Sequence, residues 1–102
     1  MLLGDYFKNI KKEYKKIFFS GISLNSNQVK KNNIFFAIKG NKTDGNNFIL
    51  SAISNGAKII VTEKKINGLK NGILFIQSNS IIKLFPPTLF PLIAKKMLFF
   101  FT

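Results

Sequence analysis

Three short runs of unbroken apolar residues, Ile34–Ile38, Ile59–Val61 and Ile73–Ile76, constrain this chain more than any other feature in it. A strand covered on both faces reads as a continuous apolar run, whereas a strand with one wet face alternates. Between the first two runs the pattern becomes helical. Phe48, Ile49, Ala52 and Ile53 share a face from about Asn46 to Asn55, and Gly56 supplies a C-terminal stop. A helix between two buried strands is a parallel crossover. Phe18 to Leu24 reads as a first strand and Lys58 to Thr62 as the full extent of the third. Asn25-Ser26-Asn27 and Lys31-Asn32-Asn33 are polar clusters that favour turns, and Lys64 to Gly72 is a turn-rich connection. The expected fold class is α/β, a small mixed sheet with flanking helices.

Ahead of the first strand, Leu3, Tyr6, Phe7, Ile10, Tyr14 and Ile17 recur at helical spacing with Lys8, Lys11, Lys12, Lys15 and Lys16 on the other side. This predicts an amphipathic helix over about residues 3 to 17 whose lysines form a solvated face. After Ser78 the pattern degrades. Ser80 to Phe85 could open a helix, but Pro86-Pro87 removes amide donors and clashes with the preceding turn. Residues 1–80 are therefore read as one domain and residues 81–102 as an aberrant or truncated tail. The Met1–Tyr6 start lacks a basic region followed by a long apolar one, so no signal peptide is expected. Leu84 to Phe101 is apolar but broken by Pro86, Pro87, Pro91 and Lys95-Lys96, short of the ~20 residues that a membrane span needs.

Composition excludes several kinds of chemistry. With no Cys and no His among 102 residues, thiolate sites, disulfides and imidazole catalysis are out. The four acids, Asp5, Glu13, Asp44 and Glu63, form no evident carboxylate pair. No G-x-x-x-x-G-K-[ST] phosphate loop occurs, so chemistry on ATP is not expected here. The net charge of +12 raises a nucleic-acid reading. Against it, all 16 basic residues are lysines, spread from Lys8 to Lys96, and none is the arginine that phosphate and base recognition favours.

What remains is binding. The loops Asn25–Asn27 and Gly40–Asn47 each follow an apolar strand, and loops at the carboxyl ends of strands form the usual ligand crevice of an open α/β sheet. They can offer amides, hydroxyls and the Lys42 ammonium to an anionic ligand.

The ordered pattern is more specific than its parts. Gly21-Ile22-Ser23-Leu24-Asn25-Ser26-Asn27 comes first, with Val29-Lys30 after it, then Ile34-Phe35-Phe36-Ala37-Ile38-Lys39-Gly40. Asp44-Gly45, Phe48-Ile49, Ala52-Ile53 and Gly56-Ala57 follow. This series resembles the N-terminal domain of the Mur ligases over about residues 21 to 63, with a weaker extension to Ser78. Within that family it is most similar to the ligases that add the third residue of the peptidoglycan stem peptide. The resemblance implies a soluble cytoplasmic domain that holds the UDP end of UDP-N-acetylmuramoyl-L-alanyl-D-glutamate, with no partner among nucleic acids or membranes. By position, Leu24 and Ser26 would contact the uridine part, and Asn41, Lys42 and Thr43 would form the second contact loop. The family uses ATP and magnesium in a central and a third domain outside the matched residues, and those ligase domains on another chain are a candidate partner. No cofactor is therefore expected here, and the chain alone should be inactive. The alternatives are the N-terminal domain of the ligase adding D-alanyl-D-alanine, or a small lysine-rich protein binding nucleic acid or an anionic surface.

Two positions depart from the family pattern. Asn25-Ser26-Asn27 stands where the family has Asp-Ser-Arg, which removes an acid and an arginine. Asn32-Asn33 replaces a turn glycine, a mild change if Asn adopts left-handed backbone angles there.

Overall fold

The computed structural model describes residues 1–7, 10–37 and 45–77. Strands β1 (Gly21–Ser23), β2 (Asn33–Ala37), β3 (Ile59–Thr62), β4 (Gly68–Lys70) and β5 (Ile73–Gln77) form one sheet in the order β1-β2-β3-β5-β4. The first four in that order run parallel, and β4 pairs antiparallel with β5 at the edge. This is the mixed α/β sheet that the apolar runs imply. The domain boundary expected at residue 80, the tail after it and the Ser80–Phe85 helix lie outside the described residues.

Strand alternation divides the core in two. Ile34 and Phe36 of β2, Ile59 and Val61 of β3, and Leu74 and Ile76 of β5 face one side with Leu3, Phe7 and Phe19. Phe35 and Ala37, with Ile60, face the other, where Val29, Ala52 and Ala57 cover them. Both faces are dry, which is why β2 and β3 are buried along their whole length.

The second face is covered by a 3-10 turn, Gly45–Phe48, that runs into the helix α1 (Ile49–Ser54). Ala52 is fully buried on the sheet, while Ile49 and Ile53 are half-buried beside it. Phe48, expected on the same face, is 41% exposed. It closes the 3-10 turn as the N-cap of α1, and the tighter turn rotates it off the helical stripe. Phe48→Ala should therefore cost less than about 1 kcal/mol in urea unfolding, as for an ordinary surface truncation. A loss near the ~3 kcal/mol of a core phenylalanine would place the ring inside after all.

The helix expected over residues 3–17 does not form. Instead there are two 3-10 turns, Leu3–Asp5 and Lys12–Tyr14, with extended backbone at Lys11. A helix would hold Leu3 and Ile17 roughly 21 Å apart at its rise per residue. The Leu3 amide nitrogen lies 2.8 Å from the Ile17 oxygen that accepts from it. Gly4 N–H to Lys15 O at 2.9 Å and Phe19 N–H to Met1 O at 2.8 Å complete an antiparallel closure. Two effects favour this loop. Lys8/Lys12, Lys12/Lys16 and Lys11/Lys15 would be like-charge neighbours four apart on a helix. The loop also seats Leu3 and Phe7 in the core and packs Tyr6, Ile10, Tyr14 and Ile17 against it. Lys11, Lys12 and Lys16 are exposed, as a solvated face requires.

The expected turn-rich connection of residues 64–72 contains β4. Asn71 (φ 52°) and Gly72 (φ 80°) take left-handed angles between β4 and β5, the signature of a two-residue hairpin. Among the described residues no helix is long and apolar enough to cross a membrane.

Candidate functional site

Because β1 and β2 are parallel neighbours, their carboxyl ends lie at the same end of the sheet. The first is built from short polar side chains. At the end of β1 the Ser23 hydroxyl donates to the Asn25 carbonyl at 2.8 Å and accepts from the Asn25 N–H at 3.3 Å. Asn25 then caps a 3-10 turn, Ser26–Gln28, its side-chain oxygen accepting from the Asn27 N–H at 2.9 Å. The Gln28 N–H reaches the Asn25 carbonyl at 3.0 Å. Thr62 does a similar job after β3, accepting from the Lys64 N–H at 3.1 Å.

These contacts explain how the turn tolerates the loss of an acid at position 25. The capping bond needs an acceptor oxygen, not a charge, and an amide oxygen supplies it. Asn27, where the pattern has arginine, is exposed, so its substitution leaves the turn intact but removes a cation from the surface. Asn32 adopts φ 67°, the left-handed angle that the missing glycine would have supplied. Its N–H donates to the Gly56 carbonyl at 2.9 Å.

The candidate residues fare differently. Ser26 is buried in the capped turn, with 6% of its surface exposed, and its carbonyl accepts from the Asn55 side-chain amide at 2.8 Å. Leu24 is buried in the first core layer, packed with Ile22 and Phe36, so what it could offer a ligand is main chain. Asn41, Lys42 and Thr43 lie outside the described residues. Two residues that the sequence reading did not single out, Ser23 and Asn55, hold the Ser26 turn. Ser23 could have been found, since a serine two places before a turn asparagine bonds local backbone. Asn55 reads locally as part of an Asn-Gly helix stop, and nothing local shows that it reaches across 29 residues to Ser26.

A cleft of about 180 Å³ between the N-terminal segment and the β4–β5 hairpin shares no lining residue with this turn. Its amides are engaged within the protein: the Gln77 N–H donates to Asn67 Oδ1, and Gln77 Nε2 donates to the Glu63 carbonyl, both at 3.4 Å. The Ser26 turn is the better candidate. No group of His, Cys, Asp or Glu among the described residues could hold a metal ion. The sequence holds no G-x-x-x-x-G-K-[ST] phosphate loop either.

Residues 18–87 match the profile of the Mur ligase family, catalytic domain. The chain is 40% identical over 75 residues to the UDP-N-acetylmuramoyl-L-alanyl-D-glutamate–2,6-diaminopimelate ligase of Rickettsia typhi, an alignment covering 74% of this chain. It is 45% identical over 73 residues to the ligase of the same name from Wigglesworthia glossinidia brevipalpis, covering 72% of this chain. The aligned part is 14% of the length of each of these relatives. Among solved structures, one of MurF from Acinetobacter baumannii shares the fold, with a TM-score of 0.52 at 21% identity, over 65% of this chain and 14% of that one. On the profile match and these identities, the chain belongs to the Mur ligase family.

Proposed function

We propose that this chain is the N-terminal substrate-binding domain of a Mur ligase, holding the UDP end of UDP-N-acetylmuramoyl-L-alanyl-D-glutamate in the cytoplasm. The observation that carries the reading is the capped Ser26 turn, set on the strand beside the one that leads into Asn41–Thr43. Such a turn presents hydroxyl and main-chain groups for a nucleoside, and Lys42 would add a cation for the pyrophosphate. Relatives at 40–45% identity named as diaminopimelate-adding ligases favour the third-residue enzyme. The likeness to MurF is one of fold and does not outweigh them. Amide-bond formation, with its ATP and magnesium, belongs on this reading to parts of a ligase other than these residues.

The test is an NMR titration of the 102-residue chain with UDP and, separately, uridine. UDP should shift the amides of Asn25 to Val29 and leave Lys11 to Lys16 unmoved. Lys42→Ala should weaken UDP by about ten-fold, the scale of a charge-assisted hydrogen bond, and barely affect uridine. Equal loss for both ligands would remove Lys42 from the site. No response to UDP, with tight salt-sensitive binding to DNA, would replace this reading with that of a lysine-rich nucleic-acid binder.

A further inference from the structure

We infer that Asn55 is a positioning residue for the Ser26 turn, so that the C-terminal end of α1 governs how well this domain grips the UDP part of its ligand. The inference rests on the reading above and adds to it a residue that touches no ligand.

Three polar side chains hold the turn. Ser23 and Asn25 act from within it and fix the backbone of residues 25–28. Neither reaches the Ser26 carbonyl. That oxygen accepts from the Val29 N–H at 3.4 Å, a long contact, and from Asn55 Nδ2 at 2.8 Å. The shorter bond dominates, because hydrogen bonds weaken beyond their usual range. It also comes from another element of the fold, the end of α1.

The anchor itself is well held. Asn55 is the C-cap of α1, and its own N–H donates to the Ser51 carbonyl at 3.0 Å. Next to it, the Gly56 carbonyl accepts from the Asn32 N–H, which fixes the far end of the same β1–β2 connection. The peptide group between Ser26 and Asn27 is therefore clamped on its oxygen side by Asn55 and on its nitrogen side by Asn25. Without the first clamp that peptide can swing, taking with it the Asn27 N–H and the placement of the Ser26 hydroxyl. Proteins hold binding groups in this way, with ligand contacts oriented by residues behind them.

The experiment compares Asn55→Ala with Ile53→Val, a mild weakening of the same helix. Asn55→Ala should weaken UDP by about five- to ten-fold, the worth of one well-formed hydrogen bond in positioning. Amide exchange at Asn27 and Gln28 should quicken, while Ile60 and Val61 stay protected. Ile53→Val should leave UDP affinity unchanged, and Asn55→Gln should recover part of the loss. If Asn55→Ala binds UDP as tightly as the parent, or if Ile53→Val weakens it equally, the positioning role is overturned. Should Asn55→Ala fail to fold, the parent decides. The Asn55 side-chain amide protons should shift with UDP alongside the Asn27 amide, and a silent Asn55 beside a responding Asn27 overturns the inference. A parent chain that does not respond to UDP at all overturns the proposed function, and this inference with it.

Discussion

Phe36→Ala should destabilise the fold by about 4 kcal/mol, within the 3–5 kcal/mol range for truncating a fully buried phenylalanine. Phe36 has no exposed surface. It lies in β2, which has strands on both sides, and is paired in register with Val61 of β3. Its ring sits 6.4 Å from that of Phe7, centre to centre and tilted by 33°, which ties the sheet to the N-terminal segment. The cavity left by alanine would be enclosed by Leu3, Ile34, Val61 and other members of the same layer. Strands fixed on both sides cannot collapse into it, so the cost should stay clear of the bottom of the range. Small domains are stable by only about 5–15 kcal/mol, so the variant should unfold over much of the accessible urea range. The measurement is the urea midpoint at unchanged slope, set beside Phe48→Ala. Equal effects for the two phenylalanines would show that the core is not arranged as described.

Gly56→Ala should cost about 3 kcal/mol, far more than the same change at Gly72. Gly56 has φ 117°, a backbone region that side chains rarely occupy. A Cβ there would stand 2.8 Å from Lys31 Cα and 3.0 Å from Lys31 N, both main-chain atoms that cannot step aside alone. Moving them would pull on the Asn32 N–H to Gly56 carbonyl bond and on the whole β1–β2 connection. At Gly72, φ is 80° and a Cβ would meet nothing within 4 Å. Gly72→Ala thus reports left-handed strain alone, about 1–2 kcal/mol. The difference in thermal midpoint between the two variants reports the close approach together with the harsher backbone angle at position 56. If they matched, Lys31 would not constrain position 56.

What could be read from the sequence follows from which forces were local. β2, β3 and β5 were legible because a strand covered on both faces needs an apolar residue at every position. Ile34–Ala37, Ile59–Val61 and Ile73–Ile76 meet that condition. The helix stop at Gly56 and the left-handed Asn32 were legible because they depend on the residue's own conformational range. β4 was missed for the opposite reason. Gly68-Leu69-Lys70 is a mostly exposed edge strand with no core pattern, and the Asn71-Gly72 turn that marks it was read only as part of a loop. The N-terminal helix failed because periodicity shows which residues face inward but not whether the backbone has a better partner. Here Leu3 finds Ile17. At the site, the turn-forming character of Asn25-Ser26-Asn27 was plain, whereas the bond from Asn55 depends on tertiary packing.

The strand order carries a consequence for the sequence in which the sheet can be assembled during synthesis. β1, β2 and β3 leave the ribosome in the order in which they lie side by side, so each new strand finds its neighbour waiting. β4 breaks the rule. It emerges before β5 but lies beyond it, and it has no pairing partner until its own hairpin closes. In that interval β3 is an open edge. Its Ile59, Ile60 and Val61, wholly buried in the finished sheet, would then offer unpaired backbone and apolar side chains together, the combination that invites pairing with another chain. Between the synthesis of Thr62 and that of Gln77 the domain is thus open to self-association along β3, and pairing of β5 with β3 ends it.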